Sequence, residues 1–258
     1  MRVLVIGSGG REHALAWKLS QEAEVLATPG NPGIEQLCET YNVRSTDIAG
    51  LVSLAQRLAP DFVLIGPEDP LIGGLADALE SVGVPAFGPS ASAAALEGSK
   101  AFSKAAMKRA GVPTAEYQAF VDPAEAADYA SARFELGRQV AVKASGAALG
   151  KGVEVCDTLD QAHEAIGRMM VDRAFGDAGA TVVIEDRLVG REFSLLTLVG
   201  EQGWTSLPAA QDYKQVHDGN RGPNTGGMGS VCTPGWVTRD LVAETERTVV
   251  APILEHMR

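Results

Sequence analysis

The chain has 258 residues, 45% of them apolar and 21% charged, which suits one to three globular domains and excludes a disordered chain. Lys and Arg number 22 against 33 for Asp and Glu, a net charge of −11, so no basic stripe for nucleic acid is expected. No apolar run reaches the roughly 18 residues of a membrane span, and the scattered Cys38, Cys156 and Cys232 predict neither a disulfide framework nor a zinc site. The cytoplasm is the expected compartment, with no nucleic-acid or membrane partner.

In chain order, short apolar runs at 3–6, 25–28, 62–65 and 85–87 predict strands. Helices are predicted near 11–20, 48–59 and 74–81, the second capped by Asp47. Strands alternating with helices predict an open parallel sheet. The apolar runs end in Gly or Pro: Gly7-Ser8-Gly9-Gly10, Pro29-Gly30-Asn31-Pro32-Gly33, Gly66-Pro67-Glu68 and Gly88-Pro89-Ser90. Singly, each is equally well a plain turn. In a parallel sheet all four leave the same edge, which is where ligands bind.

A helix follows at 100–110, stopped by Gly111 with Pro113 beyond. A strand at 117–121 leads into Asp122-Pro123-Ala124-Glu125, which caps and opens a helix to about 134. Strand 139–144, a Gly-rich loop to 152 and strand 153–155 come next, and Thr158-Leu159-Asp160-Gln161 opens a helix to about 171. A strand at 181–185 closes this block, and 192–199 with 204–207 predicts a hairpin. After the Gly-rich stretch 219–230, a last helix starts near 238 and is bent at Pro252.

Four segments carry candidate chemistry. Gly7-Ser8-Gly9-Gly10-Arg11-Glu12-His13 follows a strand and opens a helix, but Glu12 stands where a dinucleotide loop needs Gly or Ala. The helix start suits a phosphomonoester better, with Arg11 adding a charged fork. His13 is read as a structural helix residue. In the second segment a strand ends at Lys143, and a small-residue loop carries Lys151 between Gly150 and Gly152. That pattern suits phosphate oxygens, and equally an exposed turn with two snorkelling lysines. The third, Val182-Val183-Ile184-Glu185-Asp186-Arg187-Leu188 running on to Glu192, suits a base edge and ribose hydroxyls, or a strand-turn-strand with surface acids. The fourth pairs Gln211-Asp212-Tyr213-Lys214 with Gly222-Pro223-Asn224-Thr225-Gly226-Gly227-Met228-Gly229, whose backbone dipoles suit a small anion.

In this order and spacing the segments resemble the ATP-grasp ligases, and within them the glycinamide ribonucleotide synthetase family, over essentially the whole chain. Gly66-Pro67-Glu68-Asp69-Pro70-Leu71 and Leu96-Glu97-Gly98-Ser99-Lys100-Ala101-Phe102 add to the likeness, and residues 222–229 are its most specific part. The resemblance implies an α/β fold. An N-terminal open parallel-sheet domain (pre-ATP-grasp, Rossmann-like) spans 1–99, and a linker helix and strand of the ATP-grasp core span 100–122. A small α+β lid spans 123–192, and an incomplete core spans 193–258.

It further implies that ATP, with Mg2+ or Mn2+, drives ligation of glycine to 5-phosphoribosylamine through a glycyl phosphate, within purine biosynthesis and by a monomer. Lys100 and Lys143 would touch ATP phosphates under a lid of Gly150, Lys151 and Gly152. Glu185, Asp186 and Leu188 would meet the adenine, and Glu192 the ribose. Asp212, Lys214, Asn224, Thr225, Gly226 and Gly227 would border glycine and the acyl phosphate, with Lys143, Lys151, Asp212 and Lys214 as the catalytic set. Gly9, Gly10, Arg11, Gly30, Asn31, Gly66, Pro67 and Glu68 would hold phosphoribosylamine.

Four features depart from the family pattern. The loop reads Gly146-Ala147-Ala148-Leu149-Gly150-Lys151-Gly152 where the family has G-L-A-A-G-K-G, Tyr213 replaces a common His, and Gln215 a common Arg. The E-F-N-x-R-F-G-D-P-E segment, whose Glu and Asn ligate magnesium in the family, does not occur. The expectation is an N-terminal part of the enzyme, catalytically incomplete, with its metal ligands beyond Arg258. A nucleotide-binding fragment without turnover and a different ATP-grasp carboxylate–amine ligase are the alternatives.

Overall fold

The structure is a computed structural model that describes residues 1–148, 152–219 and 221–258, with Pro223 and Asn224 by backbone alone. Two units divide the chain, Met1–Gly98 and Ser99–Arg258.

The first unit is built on a parallel sheet. Its elements are β1 (Arg2–Gly7), α1 (Gly10–Leu19), β2 (Glu24–Pro29), β3 (Glu39–Thr40), α2 (Ile48–Leu58), β4 (Phe62–Ile65), α3 (Glu68–Ile72), α4 (Leu75–Ser81), β5 (Ala86–Phe87) and α5 (Ala91–Gly98). The strand order is β3-β2-β1-β4-β5, with every pairing parallel. Strand β1 is buried from Val3 to Gly7, as a central strand covered on both faces must be. The pleat sends alternate side chains to opposite faces. Leu4 and Ile6 join Leu51, Leu54, Leu75 and Leu79 of α2 and α4, while Val3 and Val5 join Ala16 of α1 and Ile34. Asp47 caps α2, its Oδ1 accepting from Gly50 N at 3.0 Å.

The sequence reading omitted β3, α3 and α5. The first is a two-residue strand, and α3 is a five-residue helix started by Pro67. The signal for α5 was present in its alanine run, a strong helix former, behind Ser90.

The second unit opens with α6 (Lys100–Ala110), β6 (Tyr117–Phe120), α7 (Pro123–Glu135), β7 (Val140–Ala144), β8 (Val153–Cys156), α8 (Leu159–Ile166) and β9 (Val182–Asp186). A π-type turn, Gly167–Val171, extends α8 to the end expected from the sequence. The sheet runs β6-β9-β7-β8, entirely antiparallel, so β6 from the segment 100–122 belongs to it. Helices α7 and α8 cover one face, burying Val140, Val142, Ala144, Val182, Ile184 and Phe120 together with Ala126, Ala130, Ala162 and Ala165. Alternation then assigns Ala141, Lys143, Val183 and Glu185 to the other face.

Three antiparallel pairs follow: β10 (Thr197–Gly200) with β11 (Gly203–Ser206), β12 (Ala210–Asp212) with β15 (Ser230–Cys232), and β13 (Gln215–His217) with β14 (Arg221–Asn224). The first is the expected hairpin, but its leading strand starts at Thr197, not at 192. The chain ends in α9 (Arg239–Thr245) and α10 (Ala251–Met257), joined by a π-type turn at Glu246–Val250. Pro252 sits in the first turn of α10, where its missing N–H is tolerated.

Candidate functional site

The non-core face of the second unit's sheet concentrates charge. Glu185 lies opposite Ala141 and Lys143 opposite Val183, so the two charged residues are diagonal neighbours on adjacent strands. Lys143 Nζ pairs with Glu185 Oε1, and Lys104 Nζ, from α6, pairs with Glu185 Oε2. Both Lys104 and Glu185 are buried. Burial pushes the Glu185 carboxyl up, but pairing with Lys104 and Lys143 outweighs it and holds the group below its ordinary value. Two ammonium groups share one carboxylate, so this half-buried face carries a local excess of positive charge.

The start of α6 is fastened to the segment after β7. Ser99 N-caps α6 through a 3.2 Å bond from Phe102 N. Lys100 N donates to Ser145 O at 2.8 Å, Ala101 N to Ser145 Oγ at 3.1 Å, and Lys100 Nζ to Gly146 O at 3.4 Å. At the far side of the loop, Ala144 N donates to Gly152 O at 2.8 Å. Lys100, Lys143 and Gly152 thus border one loop. Gly150 and Lys151, expected within it, lie outside the described residues.

At the end of β9 the side chains are engaged. The Glu185 carboxylate is committed to lysines. Asp186 takes a bidentate grip from Arg133, one bond at 2.8 Å from Nε to Oδ1. Asp186 N donates to Glu116 O at 2.9 Å and Arg187 N to Gln139 O at 2.8 Å. Leu188 follows, 76% exposed, on the rim of a cavity of about 540 Å³ that Thr114, Arg138 and Gln139 also line. Glu192 is exposed and lies before the hairpin. Both its neighbours rest on Trp236: Arg191 stacks at 4.5 Å and Phe193 meets the ring edge-on at 5.7 Å.

The fourth segment closes on itself. Thr225 N and Oγ1 donate to Lys214 O at 2.6 and 2.9 Å, and Gly227 N donates to Thr225 Oγ1 at 3.1 Å. Met228 N donates to Tyr213 O at 2.7 Å, and Lys214 Nζ lies 3.5 Å from Asp212 Oδ2. Asp212, Lys214, Thr225, Gly226 and Gly227 therefore form one turn region. The Asn224 side chain lies outside the described residues.

In the first unit the loops after β1, β2 and β4 meet at the sheet's carboxyl edge. Glu12 is only 4% exposed, and its Oε2 accepts from Gly9 N at 2.7 Å. This carboxylate takes a helix-start amide that the sequence reading offered to a phosphomonoester. Arg11 is tied to Glu12 at 3.0 Å and to Glu68 at 3.6 Å. Asn31 Nδ2 donates to Ser8 O at 2.9 Å, and Gly30 N to Gly7 O at 3.2 Å. A Cβ on Gly7 or Gly66 would come within 2.4 Å of Glu12 Cγ, so both glycines make room for this one side chain. The edge thus gathers Gly9, Arg11, Gly30, Asn31, Gly66 and Glu68, with Gly10 and Pro67 beside them in sequence. The His13 ring packs on Gly33, where a Cβ would lie 2.3 Å from Cε1, which fits a structural role.

Sequence reasoning missed Lys104 and Arg133. Lys104 was discernible as the residue four after Lys100, hence on the same helix face. Arg133 pairs across 53 residues and left no local signal. Burial, with Glu154 assisting, pushes the Cys156 thiol up to about 11, which makes it a core residue and not a nucleophile.

Two predictions follow from this geometry. A carboxyl with a lowered folded pKa stabilises the fold above its unfolded value, and that contribution is lost as pH falls through the folded value. Urea unfolding at stepped pH is therefore expected to show stability falling below about pH 4.3, with a shallower fall for Glu185→Gln; parallel curves would contradict it. Gly66→Ala is expected to cost about 1–3 kcal/mol by crowding Glu12. Combined with Glu12→Ala it should cost less than the two single changes added, and strict additivity would show that the two residues do not touch.

Two family models together match the chain from end to end. That of the phosphoribosylglycinamide synthetase N domain matches residues 1–97, and that of the phosphoribosylglycinamide synthetase ATP-grasp (A) domain matches 98–258. A curated phosphoribosylamine–glycine ligase from Xanthomonas campestris pv. campestris is 47% identical over 264 residues, covering 100% of this chain and 60% of that protein. The crystal structure of a phosphoribosylamine–glycine ligase from Thermotoga maritima aligns with a TM-score of 0.78 at 29% identity, covering 99% of this chain and 61% of that one. An N5-carboxyaminoimidazole synthetase from Staphylococcus aureus, complexed with ADP, shares the fold with a TM-score of 0.70 at 18% identity, over 99% of this chain and 63% of that one. The chain spans about 60% of the length of the curated relatives it matches. It belongs to the phosphoribosylglycinamide synthetase family, with that family's N domain followed by its ATP-grasp domain.

Proposed function

We propose that this chain binds ATP on the lysine-bearing face of its second unit and serves the ligation of glycine to 5-phosphoribosylamine. The observation that carries the reading is the Lys104–Glu185–Lys143 cluster, whose surplus positive charge suits a polyanion. Membership of a family with an ATP-grasp domain supports ATP as that anion.

A carboxylate is a poor acyl donor because it would have to expel oxide. Transfer of the ATP γ-phosphoryl group to the glycine carboxylate makes glycyl phosphate and releases ADP. The amine of phosphoribosylamine then attacks the acyl carbon, losing a proton and expelling phosphate, to give glycinamide ribonucleotide. Such transfers depend on positioning and charge neutralisation. Lys143 and Lys100 neutralise phosphate oxygens, with Lys151 and the glycines beside it covering them. Glu185, Asp186 and Leu188 border the adenine, and Glu192 holds the ribose. Asp212, Lys214 and residues 224–227 border glycine and the acyl phosphate. The carboxyl edge of the first unit, from Gly9 to Glu68, receives phosphoribosylamine. Residues 123–192, with β6 of segment 100–122 completing their sheet, form the lid of the ATP-grasp fold, and residues 193–258 belong to its core.

The cation that accompanies ATP, magnesium or manganese, meets no ready cage: among the described residues no three His, Cys, Asp or Glu converge. No step is therefore assigned to it. The cytoplasm and a monomeric state belong to the same proposal. The three cysteines are free, and among the described residues no helix is long and apolar enough to cross a membrane.

Calorimetric titration of the 258-residue chain with magnesium and ATP tests the reading. Binding is expected, with Lys143→Ala raising Kd about 10- to 100-fold, the worth of a charge-assisted contact. No affinity for ATP would overturn it. ADP release that needs both glycine and fresh phosphoribosylamine is the expected turnover. Bound ATP without release would remove the ligase activity from this chain and leave a nucleotide-binding unit.

A further inference from the structure

The two lysines that share Glu185 are held in different ways. Lys104 is the deeper, its side chain 11% exposed against 25% for Lys143. Its ammonium group has three partners: the Glu185 carboxylate, the Thr114 hydroxyl at 2.5 Å, and the Tyr117 ring with its centroid at 5.3 Å. An ammonium group has three N–H bonds, so little donor capacity is left over. For Lys143, Glu185 is the only ion-pair partner among the described residues. The carboxylate is buried, so it needs a cation at all times. If Lys143 turned to another anion, Lys104 would still neutralise Glu185. If Lys104 left, it would forfeit three contacts.

We propose that Lys104 is a positioning residue that acts as the resident counter-ion of Glu185, so that Lys143 can exchange the carboxylate for a phosphate oxygen of an incoming nucleoside triphosphate. Lys104 itself touches no substrate. Its effect runs through Glu185: with two cations on one carboxylate, the grip on Lys143 is shared and loose. With Lys104 removed, Glu185 holds Lys143 as its sole counter-ion and competes with the phosphate. The nucleotide half of this proposal rests on the ATP reading above. The ion-pair half does not.

The test compares the full chain with Lys104→Met, Lys104→Arg and Lys104→Met/Glu185→Gln. The double variant removes both charges and strands neither, and Lys104→Arg keeps the charge should Lys104→Met fail to fold. Two readouts are taken. In calorimetry with magnesium and ATP, Lys104→Met should bind at least ~10-fold more weakly, Lys104→Arg within ~3-fold of the unaltered chain, and the double variant should recover most of the loss. Relief of a stranded buried charge would also restore the fold, so the labelling rate of Lys143 separates positioning from support. Without nucleotide, acetic anhydride labelling of Lys143, followed by peptide mass spectrometry, should be slower in Lys104→Met and fast again in the double variant.

A double variant that binds ATP no better than Lys104→Met overturns the proposal. So does equal labelling of Lys143 in the two. If Lys104→Met does not fold, loss of ATP binding in Lys104→Arg or slow labelling in the folded double variant overturns it. If the unaltered chain binds no ATP, the functional reading fails by itself, and the labelling rates alone decide the exchange between lysines.

Discussion

A carboxylate withdrawn from water must be paired, and in the second unit that requirement falls on Glu185. The pleat of β9 puts Val182 and Ile184 into the core beneath α7 and α8 and leaves Val183 and Glu185 on the opposite face. An acid on that face is stable only if cations are brought to it. One comes from the adjacent strand, as Lys143, and one from α6, as Lys104. The pairing therefore fixes α6 against the sheet, and with it the bonds from Lys100 and Ala101 to Ser145 that anchor the Gly-rich loop. One acid thus orders the strand, the helix and the loop start on which phosphate recognition would depend.

The first unit uses a buried carboxylate for the opposite purpose. Glu12 turns back to the amide of Gly9, where a helix start would otherwise attract an anion. Arg11, which read as a phosphate fork, is neutralised by Glu12 and faces Glu68. One cation between two acids leaves this edge less positive than Arg11 alone would make it. The Gly-rich loop so resembles a dinucleotide loop in spelling and differs from it in charge. Gly7 and Gly66 serve Glu12, giving it space a side chain would deny.

Local patterns in the sequence carried most of the fold. The buried run of β1, the cap at Asp47, the stop at Gly111 and the capping box at Thr158 each fall within a few consecutive residues, and each reappears in the structure. Legibility failed at the shortest elements, β3 and α3, where too few residues exist to show a period. It also failed wherever side chains meet across long stretches of chain. Lys104 reaches Glu185 from 81 positions away and Arg133 reaches Asp186 from 53, and neither spacing is encoded nearby. The partners of the Glu185 and Asp186 carboxylates were therefore not legible from the sequence. The structure gives their carboxylates to lysine and arginine.

The overall charge of −11 sharpens the significance of the lysine face. In an acidic chain, lysines scattered over the surface would be screened by salt and offset by neighbouring acids. Placing two lysines on a half-buried face reduces both effects there, because attraction to a phosphate strengthens as burial lowers the local dielectric. The same burial penalises the lysines themselves, and an unaccompanied pair there would repel. Glu185 offsets that penalty while neutralising only one of the two. A single acid between two lysines is therefore the smallest arrangement that gives both cations a partner and still leaves one positive charge for an incoming anion.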